Sequence, residues 1–151
     1  MRIRDATTSD AATIIDFNAK MAKETEHKEL DRALLEPGVR RALADPGLAR
    51  YWLAVEDDGT PLGQLMVTWE WSDWRNGPFF WIQSVYVREE ARRRGVYRAL
   101  HEHCIEVARR EGAVGVRLYV EPNNARAIAT YARLGMQKTY DVMELSLPRG
   151  S

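Results

Sequence analysis

Apolar positions recur along this chain with two different periods, and the changes of period divide it into elements. Ile3-Arg4-Asp5-Ala6 predicts a short first strand. Thr8-Ser9-Asp10 then offers N-cap chemistry for a helix whose stripe runs Ala11, Ile14, Ile15, Phe17 and Met21, with Asn18 the polar exception. A second, weaker helix is predicted at about 31–43, interrupted by Pro37-Gly38 and ended by Asp45-Pro46-Gly47. The pattern then turns strand-like. Residues 51–55, the turn Asp57-Asp58-Gly59-Thr60-Pro61 and the returning run 62–71 form a hairpin signal. After a loop at 72–78, residues 79–87 are a third apolar, aromatic and β-branched run.

A helix is predicted over about 96–111, with Ala99, Leu100, His103, Cys104 and Val107 on one side and Gly112 as its stop. Residues 114–120 read as another strand. Pro122-Asn123-Asn124 opens a helix that Gly135 closes, and residues 137–147 predict one or two final strands. The order is β-α-α-β-β-β-α-β-α-β, with room for one more strand. A central antiparallel meander followed by a strand–helix–strand crossover implies an α/β (α+β) fold, a mixed sheet with helices on both faces. No repeat or low-complexity linker interrupts residues 1–151, so one domain is expected.

Composition narrows the class. A 45% hydrophobic and 29% charged chain is that of an ordinary globular protein. Basic and acidic residues balance at 22 each, so no overall field draws it to nucleic acid. No apolar run approaches the roughly 20 residues of a membrane span, and the first residues lack a signal-peptide core. A single cysteine, Cys104, excludes an intramolecular disulfide and a cysteine-rich metal site, and no metal is expected. A cytoplasmic location is the simplest expectation. Cys104 sits mid-helix on the apolar side, with His101 three residues before it, and it reads as core.

The charge is uneven in one place. Arg88, Arg92, Arg93, Arg94 and Arg98 cluster where the run 79–87 passes through Gly95 into a helix. Free N–H groups and the aligned peptide dipoles make such a strand–loop–helix junction a phosphate site, and Gly95 lets backbone approach a ligand. No Gly-Lys-Ser/Thr follows, which excludes a Walker A loop, and one glycine after an antiparallel sheet does not fit a Rossmann motif. On this segment alone, a solvated basic surface fits equally well.

The segment Asn124-Ala125-Arg126-Ala127-Ile128-Ala129-Thr130-Tyr131-Ala132-Arg133-Leu134-Gly135-Met136 resembles the Asn-x-x-Ala-x-x-x-Tyr-x-x-x-Gly-Phe pattern of GNAT-superfamily N-acetyltransferases, with Met136 in place of phenylalanine. Arg92-x-x-Gly95-x-Tyr97 resembles that family's Arg/Gln-x-x-Gly-x-Gly/Ala motif, with Tyr97 where a small residue is usual. The resemblance implies acetyl-CoA as co-substrate, its pyrophosphate on Arg92, Arg93, Arg94, Gly95, Val96, Tyr97 and Arg98. It also places the pantetheine arm along the backbone of Val85, Tyr86 and Val87, where the sheet splays near Leu118-Tyr119-Val120. Tyr131 is the implied general acid for the leaving thiolate, its bland alternative being an aromatic that pins the helix. Asn124 either contacts pantetheine or caps its helix.

The base is less defined. The family often carries a glutamate where Gln83 stands here, and an amide cannot take up a proton at neutral pH. Glu70 and Asp73 are the alternatives, set among Trp69, Trp71 and Trp74 in a pattern that suits an ammonium or, equally, a core or dimer surface. The resemblance implies direct acetyl transfer to a primary amine of a small molecule. A non-catalytic acetyl-CoA sensor is the alternative, a nucleotide- or nucleic-acid-binding loop a third, and a homodimer is compatible with the aromatic content.

Overall fold

The structure, a computed structural model, describes residues 1–149. β1 (Arg2–Asp5) leads through a 3-10 turn at Thr8–Asp10 into α1 (Ala11–Glu26). Then come α2 (Arg32–Ala44), β2 (Arg50–Val55), β3 (Pro61–Ser72), β4 (Gly77–Val87), α3 (Val96–Arg110), β5 (Gly115–Leu118) and α4 (Ala125–Arg133). The chain falls into two compact units, Met1–Tyr119 and one that begins at Val120.

The first unit holds one sheet in the order β1-β2-β3-β4-β5. The first four strands pair antiparallel, and β5 returns parallel to β4 after the α3 crossover. Apolar alternation sorts side chains to its two faces. Trp52, Leu65, Val67, Phe80 and Ile82 join Leu100, Cys104 and Val107 of α3 in one core. Tyr51, Leu53 and Val55 meet Ile14 and Ile15 of α1 and Val39 of α2 in the other. β2 therefore buries both faces, as its unbroken apolar run requires.

Three expectations need correction. Pro37-Gly38 does not interrupt α2, which runs continuously. Proline removes only the N–H that would reach Ala33, one turn from the helix start, and packing of Leu35, Val39 and Ala42 holds the rest. In α3 the fully buried histidine is His101, whereas half-buried His103 lies edge-on to Trp52 at 5.1 Å, so the buried face is rotated from the one predicted. Residues 137–147 form no strand. A strand exists only by pairing, and no described residue after Leu118 enters a ladder. Val142, Met143, Leu145 and Leu147 are correspondingly exposed.

The second unit is built around α4. Asn124 caps it, its Oδ1 accepting from the Ala127 N–H at 3.1 Å, and Glu121 accepts from the Asn123 N–H at 2.7 Å. Gly135, at φ 92°, takes the left-handed turn that ends the helix, and the Met136 N–H returns to the Tyr131 carbonyl.

Candidate active site

The site in the first unit starts from an irregularity in β4. Val67 stands opposite Ile82 but Met66 opposite Ser84, so Gln83 is an extra residue in β4, a β-bulge. Bulges bend a strand and re-aim its side chains. The ladder to β5 ends at the same place, at Ile82 opposite Leu118. From Gln83 to Val87 the β5-facing edge of β4 has no ladder partner within the unit, leaving backbone for a ligand. The ladder thus ends beside Leu118, where a splay is expected. Val85 packs toward the α3 core, while Tyr86 turns to the other face against Phe17, with ring centroids 5.3 Å apart.

β4 leaves the sheet through the Arg88 N–H, which donates to the Leu62 carbonyl at 2.9 Å, and a 3-10 turn at Glu89–Ala91 anchors the loop with buried Ala91. Arg93 and Gly95 are both left-handed, at φ 65° and 79°. A Cβ built on Gly95 meets nothing within 4 Å, so the space in front of the loop is open. The Ala99 N–H bonds the Gly95 carbonyl at 3.0 Å and no side chain caps α3, so the earlier N–H groups of this turn stand at the helix end. Tyr97 is half-buried and packs against the α3-side core.

The arginines are less free than their number implies. Arg94 pairs with Glu56 at 2.6 Å, Arg98 with Glu102 at 2.8 Å and Arg88 with Glu90 at 3.3 Å. Arg92 donates to the Val87 carbonyl at 3.0 Å and to Glu24 of α1 at 2.7 Å, and lies over the Tyr86 ring. Its hydrogen bond to Glu24 raises the guanidinium pKa, and burial followed by the Glu24 charge raises that of Tyr86. Among the described residues of this cluster, Arg93 alone makes no ion pair. Most of the basic charge is thus engaged in ion pairs, and what the turn leaves open is mainly backbone.

Gln83 donates to Thr68 Oγ1 at 2.8 Å. Glu70 lies on β3, opposite Phe79 of β4, but is paired with Arg117 at 2.6 Å, and that guanidinium sits 3.6 Å over Phe79. Asp73 lies in the hairpin turn, Trp69 packs edge-on to Phe80, and Trp71 and Trp74 are exposed, so the tryptophans do not gather around the acids. Asn124 and Tyr131 belong to the second unit. Glu24, Thr68 and the bulge escape sequence reading. Glu24 follows Phe17 by two helical turns, which hints only at a shared face, and no glycine or proline marks the bulge. Cys104 is buried and its thiol is pushed up to about 12, so it is not a nucleophile at neutral pH.

The chain also resembles known proteins. Residues 12–136 match the model of the acetyltransferase (GNAT) family. A possible acetyltransferase of Clostridium difficile 630 is 43% identical, with 98% of each chain covered and a TM-score of 0.92. A tetramutant of the BH1408 protein of Bacillus halodurans is 21% identical over 97% of this chain and 100% of that one, at 0.79. Ribosomal-protein-alanine N-acetyltransferase of Brucella melitensis biovar Abortus 2308 is 14% identical over 97% and 100%, at 0.78. These last two likenesses show a shared fold alone. No curated protein matches.

Proposed function

From the premise that this chain belongs to the GNAT family and is a GNAT-type N-acetyltransferase, we propose that it transfers acetyl from acetyl-CoA directly to a primary amine on a small molecule. The observation that carries this reading is the coincidence, within β4, of the bulge at Gln83, the end of the β5 ladder and the run into the open Gly95 turn. The backbone of Val85, Tyr86 and Val87 receives the pantetheine arm, and the turn of residues 92–98 holds the pyrophosphate with Arg93 as the free cation. The co-substrate supplies an activated acetyl thioester.

The amine nitrogen attacks the thioester carbonyl, the new C–N bond forms, and the C–S bond breaks with its electron pair going to sulfur. The nitrogen loses its proton to water oriented by Gln83, or to Glu70 if Arg117 releases it. Tyr131 protonates the thiolate through its hydroxyl, an assignment resting on the register Asn124–Tyr131–Gly135. The family match spans both compact units, which supports a single acetyltransferase domain. A reducing, cytoplasmic setting is part of the proposal, in keeping with a single cysteine in the chain, and exposed Trp71 and Trp74 supply apolar area for a homodimer.

Isothermal titration with acetyl-CoA, followed by thiol release with an amine panel, tests the reading. Binding with amine-dependent release is expected. Binding without release across the panel favours the sensor alternative, and absence of binding overturns both.

A further inference from the structure

A second feature meets the same bulge. A groove of about 350 Å³, open to solvent, lies between α1, α2 and the sheet, and Gln83 and Ser84 form part of its wall. That volume is at the small end of ligand pockets. Met21, Leu35, Val39 and Met66 supply apolar walls, and none of the lining residues carries a charge. Its polar groups, the Asn18 and Gln83 amides and the Ser84 and Tyr51 hydroxyls, keep acceptor capacity. Asn18 uses its Nδ2 on the Ile14 carbonyl at 3.0 Å and Gln83 its Nε2 on Thr68, so the Oδ1 and Oε1 atoms remain, beside the Ser84 hydroxyl.

We propose that this pocket seats the acyl acceptor, and that the acceptor is a primary amine on a compact apolar body, such as an arylalkylamine, rather than a polycation. The proposal rests on the acetyl-transfer reading above. An amine at the bulge donates its N–H bonds to amide and hydroxyl oxygens, while its apolar body displaces water from methionine and aliphatic walls. A polyamine or aminoglycoside brings further ammonium groups, and the lining offers no carboxylate to pair with them. Two carboxylates on the elements that form it are already engaged: Glu24 of α1 holds Arg92 and Tyr86, and Glu70 of β3 holds Arg117.

Gly38 gives a clean probe. It lines the pocket from α2, a Cβ built there meets nothing within 4 Å, and its φ is not in the left-handed region, so a larger side chain fills the pocket without backbone strain. Thiol release from acetyl-CoA should be measured with phenethylamine and with spermidine for the wild type, Gly38→Leu and Leu35→Glu, with acetyl-CoA affinity by calorimetry for each. The wild type should prefer phenethylamine by at least about tenfold in kcat/KM. Gly38→Leu should raise the phenethylamine KM by at least about tenfold with acetyl-CoA affinity unchanged. Leu35→Glu, which places a carboxylate in the wall, should shift the preference toward spermidine. A wild-type preference for spermidine, or an unchanged phenethylamine KM in Gly38→Leu, overturns the apolar-amine assignment while leaving acetyl transfer standing. Failure of the wild type to bind acetyl-CoA overturns both.

Discussion

The loop of residues 88–98, the proposed pyrophosphate site, exposes mainly backbone from one contiguous stretch, whereas the proposed acceptor pocket under α2 is lined by side chains drawn from α1, α2, β2, β3 and β4. The loop depends on conformation: two left-handed residues and a helix start, set by Gly95 and held by ion pairs to Glu24 and Glu56. The pocket depends on composition, namely which apolar and amide groups five elements bring together. Backbone recognition of an anion tolerates changes of side chain but not of φ. Side-chain recognition of an apolar body behaves in the opposite way. Substitutions that separate the chemical step from the two binding regions, and then the regions from each other, test this contrast.

The largest effect should come from the proposed proton donor. Tyr131→Phe keeps the ring and removes only the hydroxyl, so turnover should fall by about 100-fold or more, the scale of one general acid. Acetyl-CoA affinity should stay unchanged. Stopped-flow thiol release and calorimetry measure the two separately, and wild-type turnover in the variant would falsify the assignment.

Gly95→Val sharpens the contrast most directly. Its φ of 79° is strained for any β-branched residue, at about 1–3 kcal/mol, although the space around it is open. Acetyl-CoA affinity should fall by about tenfold or more while the KM for the amine stays within about twofold. If the amine KM moved and the cofactor affinity did not, the roles of the two regions would have to be exchanged.

Glu24→Gln should have a smaller effect. The Glu24–Arg92 pair leaves its side chains 40% and 44% exposed, and pairs of that exposure contribute about 1 kcal/mol or less. A loss of about threefold in acetyl-CoA affinity is expected, shrinking further as salt is raised. An effect as large as that of Gly95→Val would mean that the ion pair, not the glycine turn, shapes the loop.

The same contrast explains what the chain disclosed as sequence. Gly95, the arginines around it and the Asn124–Tyr131–Gly135 spacing are local, so they are legible without coordinates. The meander is equally legible, because period-2 alternation and the turn at 57–61 are local too. The bulge is not, since nothing in Ile82-Gln83-Ser84 marks a change of register that only pairing with Met66 and Val67 creates. Glu24 closing on Arg92 depends on a separation of 68 residues, which no local pattern encodes. The apolar run at 137–147 misleads for the same reason: alternation shows what a strand would bury, not whether a partner edge is there.

The smallest expected effect concerns Cys104, which lies behind the loop on α3. Burial raises its thiol to about 12, so at neutral pH it is protonated in the folded protein. An ordinary exposed thiol titrates near 8.5. Between these values the unfolded chain gives up its proton while the folded one does not. The contribution of Cys104 to stability is therefore complete below the ordinary thiol pKa and declines as pH rises toward 12. At pH 8, iodoacetamide should label the folded protein at a negligible rate and the denatured protein promptly, with turnover surviving the folded-state treatment. Replacement by alanine should leave kcat within about twofold, since direct transfer needs no acyl-cysteine. Rapid labelling in the folded state, or an acetylated Cys104 trapped during turnover, would place an acyl-enzyme on the pathway and move the chemistry from the edge of β4 to the helix behind it.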